Sequence, residues 1–339
     1  MQLVAQPQIH PDKGVDDVTD RFEVTLVISY ALRRLLAGLV LAVLVTFITF
    51  LLLSTSFEGV VRSILGLAAT EDSIASLMHS LGYDRPVLVQ YADWLGGVVT
   101  GDFGTSLFTN QPVTVAASAR LTVTLSLVIT ALAITVVISV LLGVAAATRG
   151  GAIDRISQGI SLLGYIVPGL LLAIVLVVVF AVNLRLLPAT GFVPFSESPS
   201  RWLASITIPV IVLVIGGIAS MTAQIRGSMI DELRKDYVRT LRTRGIPTTS
   251  IVVRHALRNA SGPALTVLSL EFISMFGGSL IIENVFGLQG FGNYSFNAAL
   301  QGDIPVIMGV TVFSVLLVVT VNLVTDIANG WLNPKARMH

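Results

Sequence analysis

The chain has 339 residues, of which 54% are hydrophobic and only 12% charged, and its net charge is +1. A soluble domain carries about 25% charged residues, so this composition excludes an ordinary globular enzyme and points to an integral membrane protein. There is no cysteine, which excludes disulfides and thiolate chemistry, and none of the three lysines (Lys13, Lys235, Lys335) follows a glycine, which excludes a GxxxxGK[ST] phosphate loop.

Residues 1–29 hold Pro7, Pro11, Gly14 and the acids Asp12, Asp16, Asp17 and Asp20, and are expected to form an irregular cytoplasmic tail. The stretch "YALRRLLAGLVLAVLVTFITFLLLS" (30–54) is uncharged from Leu35 to Leu53. That is about the 20 residues a helix needs to cross hydrocarbon. Arg33 and Arg34 ahead of an apolar run also suit a secretory signal, but the run is longer than about 15 residues and no small-x-small cleavage site follows, so a retained membrane helix is expected. An external region is expected over 55–120. Within it, 81–110 sets Tyr83, Tyr91, Trp94 and Phe103 among glycines and acids, as a small packed unit or as aromatic anchors at the interface.

Five further spans are predicted at 121–147, 157–182, 203–225, 264–283 and 305–329, giving a five-helix core over 121–337. Pro168 and Pro209 fall inside two of them, which membrane helices tolerate. The pairs Gly216–Gly217 and Gly277–Gly278 suit close helix approach. Arg33, Arg34, Arg149, Arg155, the basic cluster of 226–258, Lys335 and Arg337 share one face of the membrane. The opposite connections are poor in Lys and Arg, so both termini and the large loop are expected in the cytoplasm.

That loop, 226–262, holds eight of the 21 Lys and Arg residues. Met229, Leu233, Tyr237 and Leu241 recur every four residues with a basic face opposite, which predicts a helix ending at Gly245. Pro247 suits the first turn of a second short helix, "SIVVRHALRNA". A basic amphipathic pair of this kind fits either an anionic lipid surface or a cleft on a cytoplasmic partner.

"DYVRTLRTRG" (236–245) followed by "RHALRNA" and a proline resembles the cytoplasmic loop of ATP-binding-cassette importer permeases, specifically the first permease of the dipeptide/oligopeptide/nickel family. "LGYDRPVLVQYADWLGGVVTGDFGTSL" (81–107), "IIENVFGLQGFG" (281–292) and "NLVTDIANGWLNPKAR" (322–337) resemble further segments of the same family. The family's loop motif falls on Arg239, Thr240 and Leu241 with Gly245 as its fixed glycine, although its usual Glu is absent and Leu241 stands where Ala is common.

The resemblance implies an all-α polytopic protein with six transmembrane helices of the type I importer fold, acting as the permease of an ATP-driven peptide importer in a bacterial or archaeal plasma membrane. It implies a second homologous permease, one or two cytoplasmic ATPases, an external substrate-binding protein and a peptide substrate as partners, with membrane lipid around the chain and no nucleic acid. ATP and Mg would be bound by the ATPases, leaving no cofactor, metal or catalytic residue in this chain.

Coupling to the ATPases is assigned to Asp236, Tyr237, Arg239, Thr240, Leu241, Arg242, Arg244, Gly245, Ile246 and His255. Glu271, about seven residues into the fifth span, is a candidate for the translocation pathway or for a structural bond between helices. Gln289, Asn293 and Tyr294 lie in a Gly- and Asn-rich external loop (286–304) that could reach the binding protein. Asn322 and Asp326, near the inner end of the last span, read as packing and capping groups. Nickel chelates or glutathione as cargo are the alternatives within the family. A stand-alone secondary transporter would place charged or unwound segments at mid-membrane, where charge is nearly absent here. An intramembrane enzyme would need a metal or nucleophile pair, yet none of His10, His79, His255 and His339 lies in a span.

Overall fold

The structure is a computed structural model, and it describes residues 13–332. Residues 1–12 of the expected tail, with His10, and Lys335, Arg337 and His339 lie outside the described residues. Among the described residues the chain is helical, apart from one isolated antiparallel bridge between Thr105 and Pro112.

Helix α1 runs from Lys13 to Ser54. Residues 13–29 are therefore helical rather than irregular, which corrects the sequence expectation. Three short helices follow: α2 (Phe57–Leu65), α3 (Glu71–Ser80) and α4 (Val87–Val99). They pack around an aromatic cluster in which Phe57 stacks on Tyr83 with ring centroids 4.2 Å apart. The Tyr91 hydroxyl donates to the Val43 carbonyl of α1 at 3.0 Å, tying this unit to the first apolar helix. The packed unit read from 81–110 is thus present, except that Phe103 leaves it to pack against Phe313 (5.3 Å).

Five helical segments are long and apolar enough to cross a membrane: Leu32–Ser54, Val113–Arg149, Pro199–Leu233, Thr248–Val285 and Ile304–Trp331. They correspond to the end of α1, to α5 (Val113–Arg149), to α8 (Pro199–Leu233), to the run ending in α11 (Leu257–Val285), and to α13 (Ile304–Leu332). The remaining predicted span, 157–182, is not one continuous helix. It is a pair, α6 (Gly151–Ile166) and α7 (Gly169–Leu176, continued by a π-helical turn to Asn183), bent by 96°. The bend sits at Pro168. The proline ring disfavours the helical conformation for the residue before it, and Val167 is extended, with ψ 115°. Pro209, by contrast, is buried inside α8 without breaking it.

Helix α8 is the axis of the core and packs along α5, α11 and α6. Leu127, Val128 and Ala131 of α5 meet Ile206, Val210 and Val214 of α8 and Phe272 and Met275 of α11. Of the two glycine pairs, only Gly217 marks a tight approach within the chain: a Cβ there would stand 3.1 Å from Thr135 Cγ2. Gly216, Gly277 and Gly278 have no such neighbour.

Candidate functional site: an exposed basic helix

Helix α8 ends at Leu233, and Arg234 and Lys235 turn the chain into α9 (Asp236–Thr243). The four-residue stripe from Met229 to Leu241 therefore crosses a break and does not lie on one helix. Its physical role is nonetheless visible at the joint. Glu232, only 5% exposed at the end of α8, accepts from the Tyr237 hydroxyl at 2.9 Å and from the Lys235 ammonium. Asn259 donates to the same phenol oxygen at 3.3 Å, so Tyr237 links the ends of α8 and α11. Burial, with the Glu232 carboxylate beside it, pushes the Tyr237 phenol above its ordinary range. One residue further on, Val238 is fully buried. These two side chains hold α9 down.

The other face of α9 is open. Asp236, Arg239, Thr240, Arg242 and Arg244 are exposed, and the one ion pair on that face, Arg239 with Asp236 at 3.4 Å, joins two side chains that are 79% and 94% exposed. Such a pair contributes little to stability. Leu241 and Ile246 are half-buried.

The helix ends as the sequence predicts. Gly245 adopts φ +74°. Its N–H bonds the Arg242 carbonyl at 3.0 Å, and the Ile246 N–H bonds the Leu241 carbonyl at 3.2 Å. That is a Schellman closure, which satisfies two carbonyls the helix itself cannot.

After Pro247 the structure departs from the sequence reading. There is no separate second short helix: α10 (Thr248–Ser250), a π-helical turn (Ile251–Ala256) and α11 (Leu257–Val285) form one rod from Thr248 to Val285. Pro263 is accommodated inside it. His255 lies half-buried in the π turn. Beneath α9 is a cavity of about 360 Å³ with an apolar floor (Ala146, Leu233, Val252) and a polar rim (Asp154, Arg234, Arg242). Arg226 of α8 pairs with Asp154 of α6 beside it, with a second contact at 2.8 Å.

The remaining candidates are scattered. Glu271 is half-buried and accepts a hydrogen bond from Ser220 of α8, so it links α11 to α8. Asp326 pairs with Arg34 at 3.2 Å and ties α13 to α1. Asn322 lines a polar cavity of about 240 Å³ next to that pair. The segment expected as a reaching loop is instead helical over α12 (Phe291–Gln301). Gln289 is exposed just before it, Asn293 is half-buried, and Tyr294 is turned inward, with Arg120 of α5 4.3 Å above its ring.

Sequence reasoning missed three buried carboxyl groups, Glu232, Glu283 and Asp303. Glu283 lies inside the quoted "IIENVFGLQGFG", and its position within a predicted span was the available signal. Asp303 falls in the 286–304 stretch that the sequence reads as a loop, where an acid gives no such signal.

Comparison with known proteins places this geometry in a family. The model of the binding-protein-dependent transport system inner membrane component matches residues 139–338, and the N-terminal component of such transporters matches 27–139. The chain belongs to this family of binding-protein-dependent transport permeases. A peptide transport system permease protein of Brucella abortus (strain 2308) is 35% identical over 307 residues, covering 90% of this chain and 98% of that protein. The oligopeptide transport system permease protein AppB of Bacillus subtilis (strain 168) is 31% identical over 313 residues, covering 91% and 98%. Among solved structures, a chain of the MetNI methionine transporter in an inward-facing conformation superposes with a TM-score of 0.51 at 16% identity, covering 64% of this chain and 96% of that one. That likeness concerns the fold alone. The permease is thus a multi-pass membrane protein of the importer type, and the helical architecture of its described residues agrees with that of the solved transporter chain.

Proposed function

We propose that this permease forms half of the translocation pathway of an ATP-driven peptide importer and that α9 is its contact with the cytoplasmic ATPases. The observation that carries this reading is the construction of α9. An exposed face bearing Arg239, Thr240, Arg242 and Arg244 is held rigidly from behind by Val238 and by Tyr237 on Glu232. Its far end turns through Gly245 straight into the rod of α11. A charged face backed by a stiff joint can transmit a push, whereas a flexible basic loop cannot. Peptide as cargo rests on the names of the relatives. The second homologous permease, the external binding protein and the inner-membrane location with α9 on the cytoplasmic side are part of the same proposal. The excess of Lys and Arg on that side supports the orientation.

The test is reconstitution of the permease with its ATPases, partner permease and binding protein in proteoliposomes. Peptide should stimulate ATP hydrolysis and accumulate inside, and stimulation by a nickel chelate or glutathione instead would replace peptide as the cargo. Orientation is read with single cysteines in this cysteine-free chain. Thr249→Cys should be protected from an impermeant thiol reagent in intact cells and Ser196→Cys labelled, both positions being exposed. The reverse pattern would invert the topology.

A further inference from the structure

Both ends of the external helix α12 are held by carboxyl groups that water does not reach. At its start Glu283, fully buried, accepts from the Thr124 hydroxyl through Oε1 and from the Asn293 N–H through Oε2 at 2.8 Å. Thr124 in turn accepts from the Phe291 N–H at 2.8 Å. Two N–H groups in the first turn of α12, which that helix cannot satisfy internally, are therefore bound by side chains of α5 and α11. The fit leaves no slack. A Cβ at Gly290 would collide with the Glu283 carboxyl group, and one at Gly292 would stand 2.7 Å from Leu280 Cα. At the other end Asp303, 3% exposed, accepts from Ser106 Oγ at 2.5 Å and from the Leu107 N–H at 3.2 Å, joining α12 to the external unit.

A buried carboxyl group costs several kcal/mol unless its oxygens are bonded, and an apolar side chain of similar volume would fill the space at less cost. The contribution that an apolar residue cannot supply is a directional joint. Glu283 sits in the last turn of α11, at the outer end of the 38-residue rod that begins at Thr248, just past the α9 turn. At 1.5 Å per residue the rod spans roughly 57 Å, long enough to cross the membrane. A displacement of α9 can reach the outer face through this helix as well as through α8, and the joint at Glu283 is what passes it from α11 to the first turn of α12.

We infer that Glu283 and Thr124 form a positioning pair that makes α12 move as one body with α11, so that the outer face of the permease changes shape in step with α9. This rests on the coupling role proposed for α9. The competing arrangement is that α12 stays with the external unit through Asp303 and Ser106 while α11 slides past it.

Spin labels at Asn297→Cys on α12 and Arg258→Cys at the inner end of the rod, both exposed positions, distinguish the two in the assembled transporter. The label distance should be narrowly distributed and unchanged between the nucleotide-free and ATP-trapped states. Thr124→Ser should preserve that. Thr124→Val should broaden the distribution and lower peptide uptake about tenfold, while ATP hydrolysis without the binding protein stays at the wild-type rate. A wild-type distance that shifts between the two states overturns the inference, and so does a Thr124→Val protein with a narrow distance and full uptake. The two-state measurement needs no variant at 124, so it decides even if Thr124→Val fails to accumulate. The nucleotide-free comparison of Val and Ser needs no ATPase, so an absent ATP response would count against the coupling role of α9 and leave the joint separately tested.

Discussion

Helix α9 and the start of α12 use charge in opposite ways. On α9, Asp236, Arg239, Arg242 and Arg244 stand in water around a small buried anchor. On the outer side, Glu283 and Asp303 are buried, with both carboxyl oxygens of each bonded. An exposed charge is cheap to keep and free to meet a partner. A buried bonded one is costly to disturb and fixes geometry. The difference suits a molecule that receives force on one side and must hold shape on the other.

The comparison is tested most severely at Glu283. Replacing it with Ala leaves the Thr124 hydroxyl and the Asn293 N–H without their acceptor, and we expect a loss of about 3 kcal/mol, read as a lower melting temperature and yield of the assembled complex. Wild-type melting would mean that the outer carboxyl groups are no more structural than the inner ones. Gly245→Val comes next. A β-branched residue held at a positive φ costs about 1–2 kcal/mol or more, enough to open the turn between α9 and the rod. The protein should insert and assemble normally, yet lose most of the ATPase stimulation by loaded binding protein. Full stimulation would remove the lever from α9.

Tyr237→Phe is a finer probe. It removes the hydrogen bond to Glu232 and the longer one from Asn259 at this joint and keeps the ring, so about 1 kcal/mol of stability should be lost, with partial uncoupling. An unchanged ATPase response would assign the anchoring of α9 to Val238 alone. The smallest effect is expected at Glu271, which joins α11 to α8 through Ser220. Glu271→Gln keeps an acceptor for that hydroxyl, so peptide uptake at equal complex yield should be nearly unchanged if the residue is structural. A loss that depends on which peptide is offered would move Glu271 into the pathway.

Much of the cytoplasmic side was legible in the sequence because its signals are local. Gly245 followed by Pro247 announces a helix stop and a restart within three residues, and the structure has both. What followed was less visible: "SIVVRHALRNA" has the helical pattern of a short element, and nothing in its spacing says that it continues unbroken into the next span. The outer side was read less well for a related reason. "FGNYSFNAALQ" is rich in Gly and Asn and resembles a loop, but its first-turn N–H groups find Thr124, 167 residues from Phe291, and Glu283. Those bonds satisfy a helix start that no local cap supplies.

Hydrophobic length was enough to place five of the six predicted membrane-crossing segments in chain order, because a bilayer demands about 20 apolar residues per crossing. Whether Pro168 bends a span while Pro209 does not, and whether an acid is a solvated charge or a buried joint, was decided only by tertiary structure. A proline's effect depends on which neighbours re-satisfy the freed backbone, and a carboxyl group's role depends on which donors the fold brings to it. Neither is written in the residue or its immediate neighbours.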